Sequence, residues 1–272
     1  MPTSAPPQLD AAIGHLEIDG RSVPITLKRN PRARRFVLRI DPSTGGVRVT
    51  VPERSTPAQA MAFARRQTGW IAARLGRLPQ SVPFEDGALV PYLGEMHAIR
   101  HAPGVRGRGA VWREDGGNQS ETVEDALPAQ ILVGGDPAFL ARRVRDWLRA
   151  EAKRHLSDRV AVHAARLGAQ PARIVVRDQT SRWGSCSSTR TLSFSWRLVL
   201  APADVLDYVA AHETAHLLEM NHSPRFWRHV EAVMPDYRRP QSWPERHGAG
   251  LHRYGSMERS PPGGALSDEA EY

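Results

Sequence analysis

The first fifty residues alternate between apolar and polar positions, as strands with one buried face do. Ile13–Ile18 and Val23–Leu27 flank Asp19-Gly20, a dipeptide typical of tight hairpin turns. Phe36–Ile40 and Val47–Val51 repeat the alternation on either side of a turn-rich link. The chain is therefore predicted to begin with two pairs of strands.

A single helix is predicted next, because Thr56 suits the N-cap position and Pro57 the first helical position. Residues 82–135 have the pattern of further short strands, interrupted by a surface loop over Gly104–Thr122 that is rich in glycine and polar residues. Residues 1–135 are thus expected to form a β-rich N-terminal region with one helix.

The apolar period then changes to that of helices. Apolar residues recur at helical spacing over Pro137–Leu167, and Gly168 is well placed to end that helix. A short strand is expected at Ile174–Arg177. Two strands that pair with each other, Ser181–Ser187 and Thr191–Leu198, are expected to follow.

Two more helices are predicted near the C-terminus. One covers Asp204–Leu218, and the other begins at Ser223-Pro224. Residues 136–255 are expected to form a second domain, and the Pro-, Gly- and Ser-rich residues 256–272 a disordered tail. The expected fold class is α+β, with a β-rich N-terminal part followed by a helical part.

The positive charge is unevenly distributed along the chain. The formal net charge is +8, and residues 1–78 alone hold 13 Lys and Arg against 5 Asp and Glu. A basic N-terminal part favours weak binding of nucleic acid or another polyanion. Because Lys28 and Lys153 are the only lysines, a general arginine bias in composition accounts for the same charge. The two interpretations stay open at this point.

The composition is that of a folded, cytoplasmic protein. Hydrophobic residues make up 40% of the chain, enough for an ordinary core. The single cysteine, Cys186, cannot form an internal disulfide, so no oxidising compartment is required. The sequence has neither a signal-peptide pattern nor a run of about 18 apolar residues, so no membrane association is expected.

The most informative motif is His212-Glu213-Thr214-Ala215-His216, an H-E-x-x-H pattern within the predicted helix Asp204–Leu218. Histidines four residues apart share one helix face, so both rings can reach one ion at about 2.0–2.1 Å. Glu213 lies one position round, where its carboxylate can act on a water at the metal without binding the metal. The motif predicts a zinc-dependent hydrolase.

A catalytic zinc needs a third protein ligand and keeps its fourth position for water. His222 lies six residues beyond His216, too far to continue the same helix face, so the helix must end first. Asn221 tolerates the left-handed conformation that such an end favours. His222 is therefore predicted to be the third ligand, on a tight turn before the next helix. The alternative is a histidine pair that is simply buried and hydrogen-bonded.

Other segments, taken together with this motif, resemble one family. In the C-terminal half the matching segments are Arg182–Ser187, Trp196–Leu198, Asp207–Val209, Asn221–Ser223, Phe226-Trp227 and Pro235–Tyr237. In the N-terminal part they are Arg34–Ile40, Val47–Pro52 and Gly69–Ile71. The chain is similar in these segments to the YgjP-like metallopeptidase family, also called DUF45, a zincin-type group akin to the SprT-like and WLM metalloproteases.

The resemblance implies a zincin-like catalytic domain over residues 136–255. It implies His212, His216 and His222 as zinc ligands and Glu213 as the catalytic acid and base. It also implies that the substrates are peptides or proteins, and it leaves the oligomeric state open. Two residues depart from the usual family pattern, namely Thr214 in place of Leu and Ser195 in place of Asn.

Two alternatives to a general peptidase remain open. One is a DNA-associated protease, because SprT-like and WLM relatives include proteases of DNA–protein crosslinks and the N-terminal part of this chain is basic. The other is a non-catalytic, zinc-stabilised module that binds nucleic acid or protein. Glu213 argues against the second alternative, since a structural zinc site does not need that carboxylate.

Several further residues have both a functional and a structural interpretation. Tyr208 either supports His212 from behind or packs in the core, and Tyr237 either stabilises the oxyanion or has no catalytic role. The strands that carry Trp183 and Trp196 form either ordinary core strands or a sheet edge for an extended peptide. Three others are expected to be structural or exposed rather than functional: Cys186, Glu219 and His229.

Overall fold

The structure is a computed structural model that describes residues 11–41, 44–77, 80–104, 110–116, 129–180 and 182–255. The described residues divide into two compact units, one ending at Ser81 and the other beginning at Val82. The tail predicted to be disordered, 256–272, lies outside the described residues.

The first unit contains a four-stranded sheet. Its strands are β1 (Ala11–Ile18), β2 (Arg21–Arg29), β3 (Val37–Ile40) and β4 (Val47–Val51), in the order β1-β2-β4-β3. The predicted hairpin is confirmed, since β1 and β2 pair antiparallel around Asp19 and Gly20, whose φ angles are 49° and 70°. The second predicted pair, β3 and β4, is also antiparallel, and β4 runs parallel to β2.

The single helix predicted after these strands is in fact two helices. α1 (Pro57–Arg66) begins as expected, with a capping box formed by Thr56 and Gln59. α2 (Thr68–Gly76) follows after a break at Gln67. Both helices cover one face of the sheet, and their apolar residues join the inner face of the sheet in one buried cluster. The other face of the sheet carries mostly polar and charged residues, together with the exposed Pro24 and Val37.

The second unit contains two small sheets and the helices α3–α7. The four-stranded sheet, in the order β5-β6-β8-β7, consists of β5 (Leu89–Tyr92), β6 (Glu95–His101), β7 (Val111–Glu114) and β8 (Ala129–Val133). The three-stranded sheet, in the order β10-β11-β9, consists of β9 (Arg173–Arg177), β10 (Gly184–Cys186) and β11 (Thr191–Ser195). The helices are α3 (Leu140–Leu167), α4 (Ala203–Ala215), α5 (Pro224–Val233), α6 (Arg238–Gln241) and α7 (Trp243–Leu251).

α3 is the central helix of this unit. It ends as predicted at Gly168, whose left-handed φ of 62° a residue with a side chain rarely adopts. The buried face of α3 belongs to the same apolar cluster as Val90, Ile99 and Ile131 of the four-stranded sheet. By packing, the described residues between 82 and 135 therefore lie with the helical part, and the compact units divide at Ser81 rather than at 135. Whether 136–255 folds by itself stays a prediction.

Three predicted elements differ from the structure at their limits. The strand expected to reach Leu198 ends at Ser195, because Trp196–Leu200 forms a buried 3₁₀ turn. The helix expected over Asp204–Leu218 ends at Ala215. Within the expected surface loop Gly104–Thr122, part of which lies outside the described residues, β7 pairs with β8. The α+β class is confirmed, and no helix in the described residues is long and apolar enough to cross a membrane.

Candidate metal centre

The H-E-x-x-H pattern lies on α4, a helix that is buried on most of its surface. Thr214 is fully buried, and its hydroxyl donates a hydrogen bond of 2.7 Å to the carbonyl of Ala210. The hydroxyl is therefore satisfied within the helix itself, which explains how threonine is accommodated where the family resemblance leads one to expect leucine. α4 thus holds His212 and Glu213 in a closely packed environment.

The chain reverses directly after α4. His216 is the C-cap residue that follows Ala215. The backbone N–H groups of Leu217 and Leu218 each donate to the carbonyl three residues earlier, at 3.0 Å. Asn221 does not adopt the left-handed conformation expected there, since it is not among the described non-glycine residues with positive φ. The Asn221 side chain instead accepts a hydrogen bond of 3.0 Å from the backbone of Ser223. Ser223 caps α5 as predicted.

This reversal brings three imidazole rings together. Nε2 of His212 lies 3.2 Å from Nε2 of His216 and 3.1 Å from Nε2 of His222. Ligands at about 2.05 Å from a tetrahedral ion are about 3.3 Å apart, so the observed separations are close to those of a zinc site. Within the described residues, these three histidines are the one group of His, Cys, Asp or Glu side chains arranged to hold a metal ion.

Hydrogen bonds behind the rings set their orientation. Nδ1 of His216 lies 3.0 Å from the carbonyl oxygen of Glu219. A carbonyl only accepts hydrogen bonds, so Nδ1 carries the proton and Nε2 presents its lone pair to the centre. The hydroxyl of Tyr208 lies 3.4 Å from Nδ1 of His212, a long contact that is consistent with a supporting role. Glu219 acts through its backbone, and its carboxylate is not part of the histidine group.

Phe226, on the first turn of α5, is fully buried and contacts all three imidazoles. Its ring stacks on His216 with centroids 4.4 Å apart, and it meets His212 and His222 edge-on, each at 4.9 Å. The sequence identified Phe226 only as an apolar position of a helix. Its contact with every ring of the group depends on the reversal between α4 and α5, which periodicity does not predict.

The electrostatics of the site favour neutral imidazoles. Burial, with the neighbouring His216 and His222, lowers the pKa of His212 to about 3. Burial also lowers the pKa of His216, against the opposing effect of its hydrogen bond to the Glu219 backbone. Neutral imidazoles with exposed Nε2 lone pairs are the form that binds a metal.

Glu213 is buried beside β10. Its Oε2 has no hydrogen-bond partner among the described residues, an arrangement that costs free energy unless a further group is present. Burial raises the pKa of Glu213 to about 8, and Arg182 acts in the opposite direction. The carboxylate has room because residue 184 is glycine: a Cβ atom there would lie 2.5 Å from Glu213 Cγ. The sequence does not predict that Gly184 and Glu213 lie so close together.

The remaining candidates lie around this centre in different roles. Cys186 is half-buried in β10, and burial first, then Glu213, raises the pKa of its thiol, as in an unreactive cysteine. The ring of Tyr237 stacks on Trp227 at 5.3 Å, and Trp227 lies 5.9 Å from the ring of His212. His229, expected on the surface, is only partly exposed, and its buried Nε2 has no partner among the described residues.

The chain was compared with known families, curated proteins and solved structures. The model of the YgjP-like family, metallopeptidase domain, matches residues 34–247. No curated protein matches the chain. Among solved structures, the metallopeptidase zymogen abylysin from Pyrococcus abyssi is 26% identical, with a TM-score of 0.32, and the match covers 36% of this chain and 97% of that one.

The family match spans both units, from the loop before β3 to the middle of α7, and so includes the whole histidine group together with Glu213 and Gly184. A match over this much of the chain is sufficient to assign the family. The residues that the site brings together lie in the segments that carry the resemblance in the sequence. The chain belongs to the YgjP-like metallopeptidase family.

Proposed function

We propose that the protein is a zinc-dependent peptidase in which His212, His216 and His222 hold the ion and Glu213 is the general acid and base. The observation that carries the proposal is the convergence of three imidazole Nε2 atoms beside a buried carboxylate that has an unpartnered oxygen. Three neutral protein ligands leave one tetrahedral position for water, as in catalytic rather than structural zinc sites.

The donor set fits zinc better than the harder divalent ions. Magnesium and calcium select oxygen ligands, whereas imidazole suits zinc and its transition-metal neighbours. The nitrogen separations of 3.1 and 3.2 Å are close to a tetrahedral edge. When bound, zinc supplies a Lewis acid that polarises the scissile carbonyl and acidifies the attacking water.

Glu213 then handles the proton. Its Oε2, unpartnered among the described residues, accepts the proton that the water loses as the new C–O bond forms. The same oxygen returns this proton to the amine nitrogen as the C–N bond breaks, so that the carboxylate is regenerated. The α4 backbone and the close contact with Gly184 keep this carboxylate from swinging away.

An extended peptide substrate can bind by pairing with the edge strand β10. This strand lies at the edge of the order β10-β11-β9, and among the described strands none pairs with its outer side. Gly184 of β10 touches Glu213, so a peptide added to this edge runs past the general base. The sheet-edge interpretation of the segment that follows Trp183 is part of this proposal, whereas Trp196 lies in the buried 3₁₀ turn after the central strand β11.

The alternatives make different demands. A DNA-associated protease of the SprT or WLM type requires activity that depends on added DNA. A zinc-stabilised binding module requires the metal but no general base. Such a module would not need a buried, closely packed carboxylate at Glu213. Both alternatives stay predictions. Activity assays on the purified protein, with and without added DNA, distinguish them from a general peptidase.

The experiment is a cleavage profile on a proteome-derived peptide library. Wild-type protein should cleave a reproducible set of peptide bonds, lose that activity with a chelator and regain it with zinc. His222→Ala should bind little zinc and cleave nothing, whereas His15→Ala, which removes an exposed histidine of the first unit, should behave as wild type. Cleavage by metal-free His222→Ala would contradict the proposal.

A further inference from the structure

The outer face of the sheet in the first unit carries an open cavity of about 630 Å³. Nine residues line it: Lys28, Asn30, Arg32, Ala33, Arg34, Arg35, Val37, Arg39 and Thr50. Five of them are basic and none is acidic. We call these five cations, Lys28, Arg32, Arg34, Arg35 and Arg39, the basic groove.

The groove is built by regular elements. Lys28 of β2 and Val37 of β3 are both opposite Thr50 of the intervening strand β4. Arg39 lies two residues further along β3, on the same face of the sheet as Val37. With neighbouring strands about 4.8 Å apart, the backbones of β2 and β3 on either side of β4 lie about 10 Å apart.

The loop that supplies the other three arginines is held by its own hydrogen bonds. The side chain of Asn30 accepts from the backbone of Arg32 at 3.0 Å, and its carbonyl accepts from Ala33 at 2.9 Å. The backbone of Asn30 also donates to Val51 of β4 at 2.9 Å. The backbone that carries Arg32, Arg34 and Arg35 is therefore held in place by the turn. A backbone already ordered before binding lowers the entropic cost of binding a ligand.

These cations have no acidic partner in the part of the chain that the structure describes, and all five are exposed. Arg29, in the same segment, is different. Its guanidinium donates to the carbonyls of Glu53 and Ser55 at 2.6 and 2.5 Å, so it is used within the fold. A general arginine bias accounts for many arginines, but not for four arginines and a lysine that line one cavity without an acidic residue.

The groove fits phosphates rather than bases. None of its nine lining residues is aromatic, and the nearby ring of Phe36 packs edge-on against Phe63 at 5.4 Å. Stacking, the main source of affinity for single strands, is therefore missing. Cations carried by two strands about 10 Å apart, and by the loop that joins them, match a repeated phosphate backbone better than one small anion.

We propose that the basic groove binds the phosphate backbone of double-stranded nucleic acid. The proposal does not depend on the peptidase chemistry, because the groove lies wholly in the first unit and the histidine group wholly in the second. Binding should be insensitive to base sequence and strongly dependent on salt, since it rests on counterion release.

The test measures binding of the full-length protein to a short fluorescent DNA duplex between about 50 and 200 mM salt. The groove variant is Arg32→Gln, Arg34→Gln and Arg35→Gln combined. The matched control replaces Arg65, Arg66 and Arg74 by Gln, three exposed arginines of α1 and α2 outside the groove. Both variants lose the same net charge.

The groove variant should bind more weakly, and its plot of log affinity against log salt should be shallower by up to about 2.7, or 0.9 per lost phosphate contact. The control should keep the wild-type slope. Equal losses in both variants would overturn the proposal, as would no binding at the lowest salt. Tighter binding of the single strand, or full competition by a nucleoside triphosphate at matched phosphate concentration, would also overturn it.

Discussion

Phe226 shows how one residue organises the candidate centre. Its ring contacts His212, His216 and His222 at centroid distances of 4.4 to 4.9 Å, although it offers no ligand atom. Imidazoles that pack against a fixed apolar ring lose little further freedom when they bind an ion. Preorganisation of this kind strengthens metal binding.

Replacement of Phe226 by leucine tests this role. We expect zinc affinity to fall roughly tenfold, because the imidazoles lose a shared packing surface while all ligands remain. Phe194→Leu is the control, since Phe194 is equally buried but, among the described residues, only Phe226 of the two has ring contacts with the imidazoles. Both variants should lose roughly 1–2 kcal/mol of stability. Equal zinc affinity in the two variants, measured by competition with a chelator, would refute the role.

Gly184 offers a second test at this scale. A Cβ atom at this position would lie 2.5 Å from both Cγ and Oε1 of Glu213, so Gly184→Ala should displace the carboxylate. We expect turnover to fall at least about tenfold with zinc content unchanged, since a general base must stay within hydrogen-bond reach. Gly69→Ala, where nothing lies within 4 Å, should have wild-type activity. Normal turnover of Gly184→Ala would show that this contact does not position Glu213.

The sequence predicted the residues of the centre but not their supports. Helix geometry predicts that His212 and His216 share a face, and the turn after α4 brings His222 to them, as the sequence led us to expect. Their roles as ligands, and that of Glu213 as the base, stay predictions. The parts played by Phe226 and by Gly184 come from contacts between elements distant in the chain. Such contacts depend on tertiary packing, about which local periodicity carries no information.

Between elements, a largely buried polar link joins α3 to α4. Asp207 of α4 lies 2.5 Å from Nε2 of the buried His163, and it accepts hydrogen bonds of 2.6 and 2.9 Å from Arg159. Burial raises the pKa of Asp207, but the hydrogen bonds from His163 and Arg159 outweigh it and lower the pKa overall. The link fixes the helix that carries the H-E-x-x-H motif against the central helix.

Asp207→Asn should lower the free energy of unfolding at pH 7 by roughly 2–4 kcal/mol. A lowered folded-state pKa stabilises the protein above the unfolded value of about 3.9 and ceases to do so as pH falls through the folded value. The difference between wild type and variant should therefore shrink below about pH 4, as measured by denaturant unfolding. Asp204→Asn, at a partly exposed position in the first turn of α4, should cost less than about 1 kcal/mol. If the stability difference between wild type and Asp207→Asn grew as the pH fell, the lowered pKa of Asp207 would be contradicted.

Most elements could be predicted from the sequence, and the errors have physical causes. The helix with α4 stops at Ala215 rather than Leu218, where the backbone N–H groups of Leu217 and Leu218 change to donating to carbonyls three residues earlier. The strand with β11 stops at Ser195 because Trp196–Leu200 turns into the core. Apolar spacing is compatible with a regular element in each case, and only the tertiary fold shows where the element ends.

For the whole molecule, the two compact units have separate apolar clusters. One cluster contains the inner face of β1–β4 with α1 and α2, and the other contains α3, α4 and both smaller sheets. The boundary at Ser81 was not evident from the sequence, because residues 82–135 have the strand pattern of the first unit. Which helix a strand packs against is not encoded in its alternation.

Metal removal should affect the two clusters differently. A ligand that binds only the native state stabilises it, and at 100 times its Kd the gain is about 2.7 kcal/mol. Since the histidine group lies in the second cluster, chelation should speed hydrogen exchange in α4 and α5 and leave β1–β4 unchanged. Mass spectrometry with and without chelator measures both. Unchanged exchange in α4 would contradict a metal bound there.

The most direct test of the central claim measures zinc content and peptide turnover in the same samples of wild type, Glu213→Gln and His212→Ala. Glutamine keeps the shape of Glu213 but cannot take a proton, so Glu213→Gln should retain one zinc per chain and lose about 10²–10⁴-fold in turnover. His212→Ala should lose both zinc and turnover. Near-normal turnover of fully zinc-loaded Glu213→Gln would contradict the account, because another group would then have to be the base.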